Sequence, residues 1–164
     1  MGVVVRRASV EDAWELTRLR RVLLKTFEHI SDESWEYACK DTFEQALADP
    51  DGMIQAFVVD AGDFPGKLAA CAVGIIQQRL PSPDNHSGLV GYIQNVSTDP
   101  DYRRRGYARA SVEAALEWLD SCGVQKTELM AVPIADEHCR DLGFRVSDYG
   151  AYLERRLPVP EYIH

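Results

Sequence analysis

Three strand-like runs, residues 54–60, 68–77 and 89–98, follow one another with only polar connections rich in Gly and Pro between them. Helical patterns with an apolar stripe lie before and after this block. The first two runs, separated by AGDFPGK, read as a hairpin. QRLPSPDNHSG, 78–88, reads as an exposed connection into the third. A sheet with helices on its faces is the architecture such an order permits.

The remaining elements extend that order. Residues 3–6 form a short strand pattern, and Ser9 with Asp12 three positions on resembles a capping box. Ala13, Leu16, Leu19, Leu23 and Phe27 then give a stripe at spacings of three and four. A second helix starts after Ser31 or Asp32, carries Trp35, Ala38, Cys39, Phe43, Ala46 and Leu47 on one face, and stops at the turn formers 49–52. Beyond the three strands, a helix from Arg105 or Gly106 buries Ala108, Val112, Ala115, Leu116 and Leu119. It leaves Arg109, Glu113, Glu117 and Asp120 wet and ends at Gly123. A strand over 127–132, a helix over 134–142 closed by Gly143, a strand over 149–157 and an irregular tail complete the chain. The expected fold is α/β (α+β), a central mixed, mostly antiparallel twisted sheet flanked by helices, in one domain over 1–164.

Composition removes several functions. With 26 acidic against 18 basic side chains the chain is acidic, which argues against nucleic acid or an anionic membrane as its main partner. No stretch has the length of a membrane span, and residues 1–10 hold two arginines where a secretory signal needs an apolar run. A cytoplasmic protein is expected. Cys39, Cys71, Cys122 and Cys139 form no CxxC pair, and His29, His86, His138 and His164 are scattered, so no metal is expected.

Against this acidic background, residues 97–119, STDPDYRRRGYARASVEAALEWL, place three consecutive arginines at a helix start. A helix N-terminus carries the equivalent of roughly +0.5 charge, so each exposed cation there costs about 0.3–1 kcal/mol. Arg103, Arg104 and Arg105 therefore either splay into water or face a bound polyanion. Gly106 favours the anion, because a residue without a side chain lets backbone N–H groups approach a phosphate closely.

RRRGYA, 103–108, resembles the [Q/R]xxGx[G/A] acyl-CoA signature of the GNAT superfamily of N-acetyltransferases. DLGF, 141–144, is similar to that family's late segment, and the order of elements resembles it over nearly the whole chain. The resemblance implies acetyl-CoA as cosubstrate and no metal. It assigns the backbone N–H groups of Arg104, Arg105, Gly106, Tyr107, Ala108 and Arg109 to the coenzyme's diphosphate, with the Arg103 and Arg104 guanidiniums adding charge-assisted contacts. It also implies that Val96, Ser97 and Thr98 pair with the pantetheine arm and that an N–H near Val96 polarises the thioester carbonyl.

The catalytic positions depart from the family pattern. Cys139 stands where relatives carry a tyrosine acid, Val132 where they carry an asparagine, and Gln94 and Asn95 where many carry acids. Cys139 is either a proton donor to the leaving thiolate or a core residue. His138 is either a base in the cleft or a surface or core histidine. Tyr149 and Tyr152 are further acids or packing aromatics. In FEHISDESW, 27–35, where the family builds its acceptor pocket, Glu28, Asp32 and Glu33 favour a cationic acceptor and His29 is a candidate base. Asp32 and Glu33 equally suit a helix first turn. The implied activity is acetyl transfer from acetyl-CoA to the primary amine of a small cationic molecule by direct attack in a ternary complex. A noncatalytic acyl-CoA-binding module and a peptide or protein N-acetyltransferase remain as alternatives. The family also allows a homodimer, with 158–164 as a contact.

Overall fold

The computed structural model describes residues 2–130, 136–148 and 153–158, with only the backbone of 136–138. Its elements are β1 (Arg6–Arg7), α1 (Ala13–Leu24), α2 (Trp35–Leu47), β2 (Ile54–Asp60), β3 (Leu68–Gln78), β4 (Leu89–Thr98), α3 (Tyr107–Ser121), β5 (Lys126–Leu129) and α4 (Asp136–Asp141). Among the described residues the strands form one sheet in the order β1-β2-β3-β4-β5. Neighbours are antiparallel except for β4 and β5. The mixed, mostly antiparallel sheet is thus as expected.

Two layers of helix cover it. Leu16 and Leu19 of α1 and Phe43 and Leu47 of α2 pack on Ala56, Val58, Cys71 and Val73. On the other face Val112, Ala115, Trp118 and Leu119 of α3 pack on Phe57, Ala72, Ile76 and Ile93. Burial on both faces explains why β2 and β3 read as nearly continuous apolar runs. It also explains the run of alanines at 69, 70 and 72, all fully buried where the layers come close.

Local signals acted where expected. The Ser9 N–H donates to the Asp12 carboxylate at 2.8 Å, closing the capping box over a 3-10 turn, Val10–Asp12, that leads into α1. Gly123 and Gly143 end their helices with φ of 77° and 90°.

Four expectations are corrected. In place of the strand expected over 3–6, β1 is Arg6–Arg7, which pairs in antiparallel register with Val58 and Phe57 of β2. α1 ends at Leu24, so Phe27 lies past the helix and is 57% exposed. α2 starts at Trp35 rather than after Asp32, whose carboxylate accepts from the Ser34 N–H and hydroxyl at 2.8 and 2.7 Å. The α3 stripe is rotated: Ser111, Val112, Ala115, Trp118 and Leu119 are buried, while Ala108 and Leu116 are half-buried. Ser111 tolerates this because its hydroxyl donates to the Tyr107 carbonyl at 2.9 Å.

Near the C-terminus, Leu153–Pro158 holds no regular structure and is exposed, against the strand expected over 149–157. Residues 149–152, 131–135 and 159–164 lie outside the described residues, as do Val132, Tyr149, Tyr152 and most of the tail considered for dimer contact. Among the described residues no helix is long and apolar enough to cross a membrane.

Gly91 of β4 allows close helix packing. A Cβ built there would lie 2.8 Å from Thr127 Oγ1 and 2.9 Å from Leu119 Cδ1. Gly91→Ala is expected to destabilise the fold by about 1–3 kcal/mol, measured by urea unfolding, because β5 and α3 both crowd the site.

Candidate functional site

β4 departs from regular pairing at one place. Between the pairs Cys71↔Ser97 and Val73↔Gln94 it uses one residue more than β3, a bulge in which Asn95 takes φ 55°. Asparagine visits this left-handed region at lower cost than most residues. Asn95 is 4% exposed, and both ends of its amide are hydrogen-bonded. Arg20 Nη1 of α1 donates to Asn95 Oδ1 at 3.3 Å, and Asn95 Nδ2 donates to Cys71 Sγ at 3.7 Å. Cys71 Sγ in turn donates to the Asn95 carbonyl at 3.2 Å. Burial pushes the Cys71 thiol up to about 12, so it remains a donor at neutral pH.

The bulge sorts the following residues between the two faces. Ser97 Oγ donates to the Leu19 carbonyl of α1 at 2.8 Å, so the Ser97 side chain is committed to the core. Val96 packs on the α3 side, and Thr98 is half-buried. Pairing between β4 and β5 runs from Val90↔Lys126 to Ile93↔Leu129. Among the described residues, β4 beyond Ile93 is therefore paired only on its β3 side. That leaves a strand edge next to a bulge, the kind of feature that re-aims backbone groups towards a site.

The edge runs directly into the arginine turn. Asp99 begins a 3-10 turn, Pro100–Tyr102, and its Oδ1 accepts from the Asp101 N–H at 2.9 Å. Arg104 and Gly106 then take φ of 62° and 77°; such left-handed positions turn successive N–H groups to one side. α3 starts with Gly106 as its N-cap, with no side-chain cap and no acid in its first turn. A Cβ at Gly106 would meet nothing within 4 Å, so the space over the helix start is open.

The four arginines of this turn have separate roles. Arg105 folds back, 5.2 Å from the Tyr102 ring centroid, and Arg109 bonds Glu113 at 3.0 Å and Asp141 of α4 at 3.5 Å. Arg103 and Arg104 are exposed, and no ion pair ties either down among the described residues. The turn thus presents an uncapped helix start with two exposed cations beside it, chemistry suited to a diphosphate.

An ion-pair network that the sequence did not announce fixes the turn from beneath. Asp99, 4% exposed, receives Arg18 Nη1 of α1 at 2.6 Å, and Lys67 Nζ lies 3.7 Å away. Arg18 also bonds Glu15 at 2.7 Å and the Leu68 carbonyl at 2.9 Å. Burial pushes the Asp99 carboxyl up, but the Asp101 N–H and Arg18 outweigh it and hold the carboxyl below its ordinary value. Tyr102, next in the turn, donates its hydroxyl to Asp63 at 2.5 Å and is pushed up to about 12 by that bond. Only the DPDY pattern hinted at this arrangement; the contact partners lie 81 and 39 positions away.

The expected catalytic residues are not all gathered here. Cys139 is 8% exposed on the inner side of α4, in keeping with a core thiol. His29 is exposed on the α1–α2 connection together with Glu28 and Glu33. His138 lies on α4, with its side chain outside the description. Gln94 is half-buried on β4, and no group of three or more His, Cys, Asp or Glu suited to a metal occurs among the described residues.

A sheet bulged on β4, an edge beyond it and a glycine-started helix after it define the class. The acetyltransferase (GNAT) family model matches residues 16–144. The chain belongs to that family and is an acetyl-CoA-dependent acetyltransferase by class. Solved structures agree on the fold. A predicted acetyltransferase with acetyl-CoA from Clostridium acetobutylicum has TM-score 0.78 at 20% identity, covering 92% of this chain and 95% of that one. Glucosamine-6-phosphate N-acetyltransferase from Arabidopsis thaliana has TM-score 0.72 at 17% identity, covering 96% and 100%. An aminoglycoside N-acetyltransferase in complex with CoA has TM-score 0.70 at 18% identity, covering 94% and 95%. No curated protein matches the chain.

Proposed function

We propose that the protein transfers the acetyl group of acetyl-CoA to the primary amine of a small, positively charged molecule, by direct attack in a ternary complex. The observation that carries this reading is the sequence of β4 bulge, open edge and uncapped α3 start in one continuous stretch, Asn95 to Arg109. On this reading the diphosphate sits over the N–H groups of residues 104–109 with Arg103 and Arg104 beside it. The pantetheine arm pairs along Val96–Thr98, and the N–H near Val96 polarises the thioester carbonyl.

The acceptor amine then attacks the carbonyl carbon, the C–S bond breaks, and the amine proton leaves. An amine with a pKa near 10.4 costs roughly 4.6 kcal/mol to deprotonate at pH 7. The thiolate, if it resembles cysteine at about 8.5, lies only about 2 kcal/mol above its thiol. Proton removal is therefore the larger demand, and exposed His29 or a water relay from the α1–α2 connection is our candidate for it. Glu28 and Glu33 on the same connection favour a positively charged amine; Asp32 is occupied by Ser34.

Two of the structural relatives bear names with unlike acceptors, an aminoglycoside and an amino-sugar phosphate, so the fold leaves the acceptor open. The test is release of free thiol from acetyl-CoA against polyamines, amino acids, aminoglycosides and peptides. Thiol release with at least one small primary amine is expected. Tight acetyl-CoA binding with no release for any amine leaves the noncatalytic binding module instead.

A further inference from the structure

The α1 segment RLRR carries three cations, Arg18, Arg20 and Arg21, and two are neutralised. Arg18 is held by Glu15 and Asp99, whose second cation is Lys67, a balanced set. Arg21 is clamped by the buried Glu36 of α2. Arg20 differs. It is half-buried, and among the described residues no carboxylate lies within ion-pair distance of it. Among the described residues its one hydrogen bond, to Asn95 Oδ1 at 3.3 Å, uses one of five guanidinium donors. Around it lie Cys39 and Cys71, both pushed up by burial and only eased by its charge, and neither is an anion to balance it.

A half-buried guanidinium with spare donors and no carboxylate partner among the described residues can receive an anionic group in a planar, two-bond geometry. We propose that Arg20 receives the carboxylate of the acceptor, so that the small, positively charged substrate is a basic amino acid, whose second amine keeps its net charge positive. The inference rests on the acetyl transfer proposed above. Arg20 bonds the Asn95 side chain, and the N–H assigned to the thioester belongs to the next residue of β4. Charge selects carboxylate over phosphate. The site has one unbalanced positive charge, matching a monoanion, whereas a phosphate carries nearly two negative charges. The ammonium end of such a substrate faces the acidic α1–α2 connection, which reconciles Arg20 with Glu28 and Glu33.

The experiment uses the whole chain with acetyl-CoA and thiol release. Acceptors are the common L-amino acids and β-alanine, each paired with its carboxamide, together with phosphoethanolamine and spermidine. The wild type is expected to prefer at least one acid over its amide by about 10- to 100-fold in kcat/KM, the range for a hydrogen bond to a charged group. Arg20→Gln is expected to collapse that ratio towards one, and Arg20→Lys to restore part of it. Amides, spermidine or phosphoethanolamine turned over as well as or better than every amino acid overturn the carboxylate assignment but leave acetyl transfer standing. An acid-to-amide preference that survives Arg20→Gln overturns the role of Arg20. Absence of release with every amine overturns both this inference and the acetyl transfer on which it rests.

Discussion

Gly106→Glu is expected to abolish the thermal stabilisation that CoA confers, while the variant folds with a loss of only about 1–2 kcal/mol from its left-handed backbone. The separation of the two effects is the point. A Cβ at Gly106 meets nothing within 4 Å beyond its chain neighbours, so the first cost to folding is φ 77°. A carboxylate there occupies the space over the α3 start and opposes a diphosphate directly. Gly106→Asn, which tolerates the same backbone, is expected to keep stability nearer wild type and to lose part of the CoA shift by bulk alone. Full retention of the shift in Gly106→Glu removes the anion site from this turn.

Asp99→Ala is expected to cost about 3 kcal/mol in urea unfolding and to weaken CoA binding as well. Removing one partner of a buried ion pair leaves Arg18 facing Glu15 alone and the Asp101 N–H without its acceptor. The turn that orients residues 103–106 then loses its tie to α1 and to Lys67. A pH series separates charge from geometry. Because the Asp99 carboxyl is held below its unfolded value near 3.9, its contribution is complete above about pH 4 and is lost as pH falls through the lower folded value. Asp99→Asn is therefore expected to be less stable than wild type at pH 7, with the two stability curves converging below pH 4. Curves that stay parallel from pH 7 to pH 2 show that the carboxylate charge contributes nothing.

These two variants probe parts of the site that were unequally legible. The turn could be read because its physics is local: a helix start, a glycine and a run of cations determine an anion site within ten residues. For the same reason β2 and β4 were placed with the bounds they have, and Gly123 as the stop of α3. In the sequence Asn95 stands out only as a residue that is not an acid. Its significance is the bulge, and that depends on a register between β3 and β4 which no periodicity reports. An asparagine in the middle of an apolar strand was the available signal, since it tolerates a left-handed backbone. Asp99 looked like a turn residue, and its partners Arg18 and Lys67 come from other elements.

The acceptor end shows the limit most clearly. Asp32 and Glu33 read alike in the sequence, as acceptor-pocket or helix-first-turn carboxylates, yet Asp32 is consumed by Ser34, while Glu33 remains exposed like Glu28. In the same way Arg18, Arg20 and Arg21 are one basic run, and only their neighbours in space separate two neutralised cations from one that is not.

By itself the sequence determined the order of elements as far as α4, the two-sided cover of the sheet and the cationic turn that starts α3, because propensity, periodicity and helix-end electrostatics act over a few residues. Only the tertiary structure decided where β4 bulges, which side chains the core consumes and which charge stays unbalanced. Each of those depends on register and on partners brought together from distant positions, and a charge's meaning is set by the groups within a few ångströms of it.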